Sequence, residues 1–215
     1  MSSNTKLLLN SLRTLIETLS NSKESFIKNN QDVFYNITSI QAEFLKYYIK
    51  HKSPNSILEI GTSNGYSLAY MLNGVLLNTN PEFNYIVSVE IDTLKYKNAH
   101  SNLLEFINLG LVKLFNADIF NKLLLEKIKL LGPFEVIFVD CLQHRYLDLL
   151  SYITSNLLLS QRGVIILDNI FSHDIESKLS DEDLINLGLE KQLISIHDGF
   201  LILKLSKKIP QTHQC

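Results

Sequence analysis

Apolar residues along the chain follow two rhythms, and the change from one to the other divides it. Over residues 5–20, Leu8, Leu12, Leu15, Ile16 and Leu19 share one helical stripe, with Lys6, Arg13 and Glu17 on the polar side. A polar break at residues 20–23 predicts a separate short helical piece after it, and 39–50 predicts a third helix with Ile40, Phe44, Tyr47 and Tyr48 turned inward. Ser53-Pro54-Asn55-Ser56 then ends this helical lead-in. From Ile57 the apolar residues come in short runs, at 57–60, 85–89, 111–115, 135–139 and 163–167, each but the last followed by an amphipathic helical segment. Runs such as Val136-Ile137-Phe138-Val139 and Val164-Ile165-Ile166-Leu167 lack polar alternation, as strands of a parallel sheet buried on both faces require. Residues 193–197 and 200–204 flank Asp198-Gly199, a two-residue hairpin signal. The pattern predicts an α/β fold: a mostly parallel seven-stranded sheet with a C-terminal antiparallel hairpin and helices on both faces. One domain is expected over 1–215, with 1–52 as lead-in and 53–215 as a Rossmann-like core.

The first strand runs into Ile57-Leu58-Glu59-Ile60-Gly61-Thr62-Ser63-Asn64-Gly65-Tyr66-Ser67. Gly61 and Gly65 can take the positive φ and close backbone approach of a strand-to-helix turn, and a helix over 66–78 would present free N–H groups to an anion or carboxylate. The dinucleotide fingerprint G-x-G-x-x-G is not met, because Ser63 and Tyr66 stand where its second and third glycines belong.

Ligands of an open parallel sheet bind outside the carboxyl ends of its strands, and here nearly every such end is polar. Glu59 and Gly61 close the first strand, Glu90 the second, residues 116–118 the third, Asp140 the fourth and Asp168-Asn169 the fifth. A carboxylate after the second strand can accept hydrogen bonds from both hydroxyls of a ribose, which suits Glu90. Its interval from Gly61 is 90 − 61 = 29 positions, against ~20 in dinucleotide folds, so a nicotinamide cofactor is disfavoured.

Composition narrows the classes further. The 215 residues are 46% hydrophobic and 20% charged with a net charge of −2, which excludes a disordered chain and offers no global positive field for nucleic acid. No uncharged apolar stretch reaches the roughly 18–20 residues needed to cross a bilayer, so no membrane partner is expected. Cys141 and Cys215 alone make no zinc motif, and the absence of a secretory N-terminus makes a reducing cytoplasm the expected location. Cys141 reads as a small structural residue, and Lys95, Lys97, Asn98 and His100 read as a polar helix face.

Taken together these segments resemble the class I S-adenosylmethionine-dependent methyltransferases, and within them the catechol and caffeoyl-CoA O-methyltransferase family. The resemblance runs through Ile37-Thr38, Gln41, the turn at 57–67, residues 87–92, Asn116-Ala117-Asp118, 134–140, 163–169 and Asp198-Gly199. It implies that Gly61, Ser63 and Gly65 shape a methionine pocket, that Ser67 contacts the methionine carboxylate, and that Glu59 lies near its ammonium. Glu90 would hold the ribose, while Ile91, Ala117, Asp118 and Leu142 would surround the adenine, beside Asp140. The family's divalent metal maps to Asp140, Asp168 and Asn169, an oxygen set that suits Mg²⁺, Mn²⁺ or Ca²⁺. The resemblance also implies a homodimer.

The chain departs from the family where a lysine serves as general base three positions after the first metal aspartate, because that position is Gln143. An amide cannot take a proton at neutral pH, which leaves three readings. A metal alone acidifies the acceptor hydroxyl, the neighbouring His144 replaces the lysine, or the acceptor is not a catechol. The first is preferred, since a coordinated hydroxyl already has a lowered pKa. The expected function is methyl transfer to a hydroxyl of a small aromatic or polyhydroxylated acceptor. A hydroxylated uridine in tRNA and a non-catalytic cofactor-binding scaffold stand as alternatives.

Overall fold

In the computed structural model, which describes residues 3–29, 36–78, 82–141, 143–171 and 179–206, the apolar runs become one sheet with the strand order β3-β2-β1-β4-β5-β7-β6. In chain order the strands are β1 (Ser56–Ile60), β2 (Tyr85–Glu90), β3 (Val112–Asn116), β4 (Phe134–Val139), β5 (Leu159–Leu167), β6 (Leu189–Ile194) and β7 (Phe200–Leu205). β1 to β5 pair in parallel, and β7 pairs antiparallel to β5 and β6. The chain enters the sheet at β1, builds outward through β2 and β3, then returns to β4 on the other side of β1. That reversal opens a crevice at the carboxyl ends of β1 and its neighbours.

Alternate side chains of each strand feed opposite faces. Ile57, Ile86, Val136, Phe138, Val164 and Ile166 join one apolar cluster with Leu12, Leu45, Ile49, Leu68, Met71 and Phe106. Leu58, Val87, Ile137, Val139, Ile165 and Leu167 join the other, with Leu124, Ile128, Tyr146, Leu149 and Ile153. The first face is covered by α1 (Ser3–Asn29), α2 (Ser39–Lys52), α3 (Tyr66–Leu77), α4 (Thr93–Asn102) and α5 (Leu104–Asn108). The second is covered by α6 (Lys122–Leu131), α7 (Tyr146–Ser155) and α8 (Asp181–Asn186). No helix among the described residues is long and apolar enough to cross a membrane.

The predicted stripe of the first helix is present, with Leu12 and Leu19 buried and Leu8, Leu15 and Ile16 packed against the core. Three expectations need correction. The helix does not break at 20–23 but continues to Asn29. Thr18 and Ser20 donate their hydroxyls to the carbonyls of Thr14 and Ile16 at 2.8 Å each, so polar residues there remain compatible with helix. In α2, Ile40 and Tyr47 face outward and are 64% and 50% exposed, while Gln41, Ala42, Leu45 and Ile49 are buried. The capping box between Thr38 and Gln41 turns Gln41 inward and sets that face.

The third correction concerns the C-terminal hairpin. β6 stops at Ile194, which pairs with Phe200, so residues 195–199 form a five-residue connection in place of a two-residue turn at Asp198-Gly199. The loop is tied to the end of β5, since Phe171 N–H donates to the Asp198 carbonyl at 2.8 Å and Ile170 N–H to the Gly199 carbonyl at 3.3 Å. A Cβ on Gly199 would lie 2.7 Å from the Phe171 ring, which explains the glycine there. A further short helix, α8, also follows β5, where none was expected.

Candidate active site

The parallel ladder extends one residue beyond the strands and sets the polar ends in a row. Ala117 N–H donates to the Glu90 carbonyl at 3.0 Å, Gly61 N–H to Val89 at 3.0 Å, Asp140 N–H to Ile60 at 2.9 Å and Asp168 N–H to Val139 at 3.0 Å. Gly61 (φ 103) is the tightest point, because a Cβ there would lie 1.9 Å from the Asp140 carbonyl oxygen. Gly65 (φ 92) caps α3. The turn thus brings β1 and β4 together at the base of the crevice.

On one side of the turn, the buried Glu90 carboxylate accepts Ser63 N–H through Oε2 and Asp92 N–H through Oε1, both at 2.8 Å. Each oxygen is held by backbone and keeps a lone pair for a hydroxyl donor. Ser63 Oγ is buried without a hydrogen-bond partner, a polar atom that a bound ligand would satisfy. Ile91 is 66% exposed beside Glu90, an apolar surface at the rim. Asn116 secures this corner by donating to the carbonyls of Glu90 at 2.9 Å and Ile91 at 3.3 Å. Ala117 is half-buried, and Asp118 uses Oδ1 to accept Phe120 N–H at 3.0 Å. Leu142 lies outside the described residues.

Glu59 is wholly buried behind the turn and accepts hydrogen bonds from Ser67 and Ser88 at 2.5 Å each, with Thr62 paired to Ser88 at 2.5 Å. Burial raises its carboxyl to about 7, against the pull of the two serines. Ser67, expected at the methionine carboxylate, has its hydroxyl committed to Glu59 in this structure.

On the other side of the turn, Asn169 donates its amide to Asp168 Oδ2 at 3.0 Å and to Asp140 Oδ1 at 3.3 Å. Gln41 reaches in from α2 and donates to Asp168 Oδ1 at 2.7 Å, while Tyr146 from α7 donates to the Asp168 carbonyl at 3.0 Å. Burial, followed by the charges of Asp168 and Glu59, pushes Asp140 well above the usual carboxylate range. Burial likewise pushes Asp168 to about 7. Among the described residues no three His, Cys, Asp or Glu side chains cluster as metal ligands. Two desolvated carboxylates and an amide nevertheless make a donor set that fits a hard divalent cation, whose charge would relieve their repulsion.

Gln143 and His144 sit on a 3₁₀ turn (Gln143–Arg145) after β4, His144 exposed and Gln143 half-buried. Arg145 stacks 4.1 Å over the Phe120 ring and anchors that turn. Burial, then the Asp140 charge, pushes the Cys141 thiol to about 12, in keeping with a structural residue. Sequence reasoning missed Ser88, Thr62, Tyr146 and the place of the 195–199 loop beside Asp168. Ser88 alone had left a signal, as a hydroxyl inside the apolar run Ile86-Val87-Ser88-Val89.

Comparison with known proteins agrees with this arrangement. The family model described as O-methyltransferase matches residues 11–191. The chain is similar to the Podospora anserina methyltransferase PaMTH1 bound to SAH, at 20% identity and TM-score 0.69 over 92% of this chain and 88% of that one. It is similar to an O-methyltransferase from Bacillus cereus in complex with SAH, at 18% identity and TM-score 0.65 over 92% and 91%. The O-methyltransferase TomG from Streptomyces achromogenes, involved in tomaymycin synthesis and solved with SAM, matches at 21% identity and TM-score 0.66 over 88% and 90%. With strand ends, turn and family model in agreement, the chain belongs to the O-methyltransferase family, among the class I S-adenosylmethionine-dependent methyltransferases.

Proposed function

We propose that the protein transfers a methyl group from S-adenosylmethionine to a hydroxyl of a small aromatic or polyhydroxylated acceptor, with a divalent cation at Asp140, Asp168 and Asn169. The observation that carries this reading is the position of that oxygen cluster in the same row of strand ends as Gly61 and Glu90. Donor and acceptor sites then meet at Asp140. S-adenosylmethionine supplies an electrophilic methyl on a sulfonium when bound. Glu90 accepts the ribose hydroxyls, and Ser63 Oγ with the N-terminal end of α3 meets the methionine end. Ile91, Ala117 and Asp118 flank the adenine. A cation at Asp140, Asp168 and the Asn169 amide oxygen would supply a lowered hydroxyl pKa. Gln41 holds Asp168 in place for it, and the sheet fixes the alignment of acceptor oxygen and methyl carbon.

Labelled-methyl transfer onto a panel of vicinal diols, simple phenols and tRNA, with and without EDTA, tests the proposal. Product from the vicinal diols, lost in EDTA and restored by Mg²⁺, is expected. Product that survives metal stripping would remove the cation from the proposal, and product on tRNA alone would replace the acceptor.

A further inference from the structure

The acceptor hydroxyl must lose a proton, and the position that follows β4 offers only the Gln143 amide. Another group stands on the opposite side of the acid cluster. The register of β5 with β7 pairs Leu167 with Leu201, so residues 198–200 continue alongside Asp168, Asn169 and Ile170. There His197 Nδ1 lies 2.8 Å from Asp198 Oδ2. Both residues act electrostatically on the Asp168 carboxyl, the imidazole favouring its charged form and the Asp198 carboxylate opposing it. His197 holds φ 51, a left-handed conformation that histidine, like asparagine and aspartate, takes up more readily than most non-glycine residues. Its side chain is 52% exposed, so it is open to solvent and is not a core residue. His144, the other histidine near the site, is exposed on the 3₁₀ turn.

Resting on the proposed function above, we infer that His197, oriented by Asp198, is the proton acceptor for the hydroxyl that is methylated. The Nδ1 proton is donated to Asp198, which leaves the Nε2 lone pair free. As the acceptor oxygen forms its bond to the methyl carbon and the carbon–sulfur bond breaks, the hydroxyl proton passes to Nε2. The sulfur leaves as a neutral thioether with the bonding pair. Asp198 is a positioning residue: its contact with Nδ1 holds the tautomer and the ring orientation.

The test compares wild type, His197→Asn, His197→Gly, His144→Asn and Asp198→Asn with Mg²⁺, S-adenosylmethionine and 3,4-dihydroxybenzoate. Asparagine and glycine both tolerate positive φ, so the loop keeps its shape, and thermal unfolding with calorimetric S-adenosylmethionine binding checks each variant. Both His197 variants are expected to lose about 100-fold in kcat with KM little changed, and to lose the rise of rate with pH on the acidic side. Asp198→Asn should lower kcat with KM little changed, as a positioning role requires. A readout independent of turnover is the visible band of bound 4-nitrocatechol, whose ionisation should require higher pH in His197→Asn than in wild type. Unchanged rates and an unchanged 4-nitrocatechol band in folded, cofactor-binding His197 variants would overturn the inference and leave the proposed function standing. So would a loss confined to His144→Asn. No turnover of any diol by wild type would overturn both.

Discussion

Glu59 carries the clearest single-residue consequence. Its carboxyl sits at about 7 in the folded protein because it is buried, against an ordinary value of 4.5 in the unfolded chain. The folded state therefore binds the proton more tightly, and stability falls as pH rises between those two values, by roughly 3 kcal/mol in all from this group. The ligand-free protein is expected to melt at higher temperature at pH 5 than at pH 8, and Glu59→Gln should flatten that slope. A melting temperature that rises with pH in wild type would contradict it. The acid pair gives a second outcome. Asp140→Asn removes one of two buried carboxylates that repel each other, so the metal-free variant should be more stable than wild type by about 1 kcal/mol. It should also lose any Mg²⁺-induced rise in melting temperature, which a parallel scan with and without Mg²⁺ would read. At this scale the sequence was informative wherever a strand ended in an acid, because a parallel sheet leaves such residues one place to go. It was silent on Thr62 and Tyr146, whose parts depend on which neighbours the crossovers bring near.

Single glycines control how the elements meet. Gly61→Ala would force a Cβ to 1.9 Å from the Asp140 carbonyl at a φ of 103, so β1 and β4 must separate at the end of the ladder that joins them. A loss above roughly 3 kcal/mol, read as a large drop in melting temperature or failure to fold, is expected. Gly74 does the same between helices, since a Cβ there would lie 2.4 Å from the Lys46 carbonyl of α2. The periodicity read β1 to β4, β7 and α3 closely, because their burial is dictated locally by period, but it started β5 and β6 about four residues late, at 163 and 193 where they begin at Leu159 and Leu189. It erred on α2, where the inward face is chosen by the Thr38–Gln41 cap and the Gln41 bond to Asp168, 127 positions away. It erred again on the hairpin, where Asp198-Gly199 signals a tight turn but Ile170 and Phe171 draw the loop toward β5.

Across the whole molecule, the strand order and the polar ends of the strands lead to one architecture: one polar group around β1 and β2 and another around β4 and β5, with Asp140 between them. The alternation of runs conveyed that topology, and the family model over residues 11–191 agrees with it. What the sequence left open was the surroundings of Asp168, because Gln143 is visible in the chain while the 195–199 loop comes beside the end of β5 only after β5 and β7 pair. Calorimetric titration with S-adenosylmethionine tests the central assignment most directly, using wild type and Glu90→Ala. Wild type should bind one equivalent, and Glu90→Ala should bind at least ~30-fold more weakly, since hydrogen bonds to a charged group contribute about 1.5–3 kcal/mol each. Absence of binding to wild type, or equal affinity in the folded variant, would contradict it.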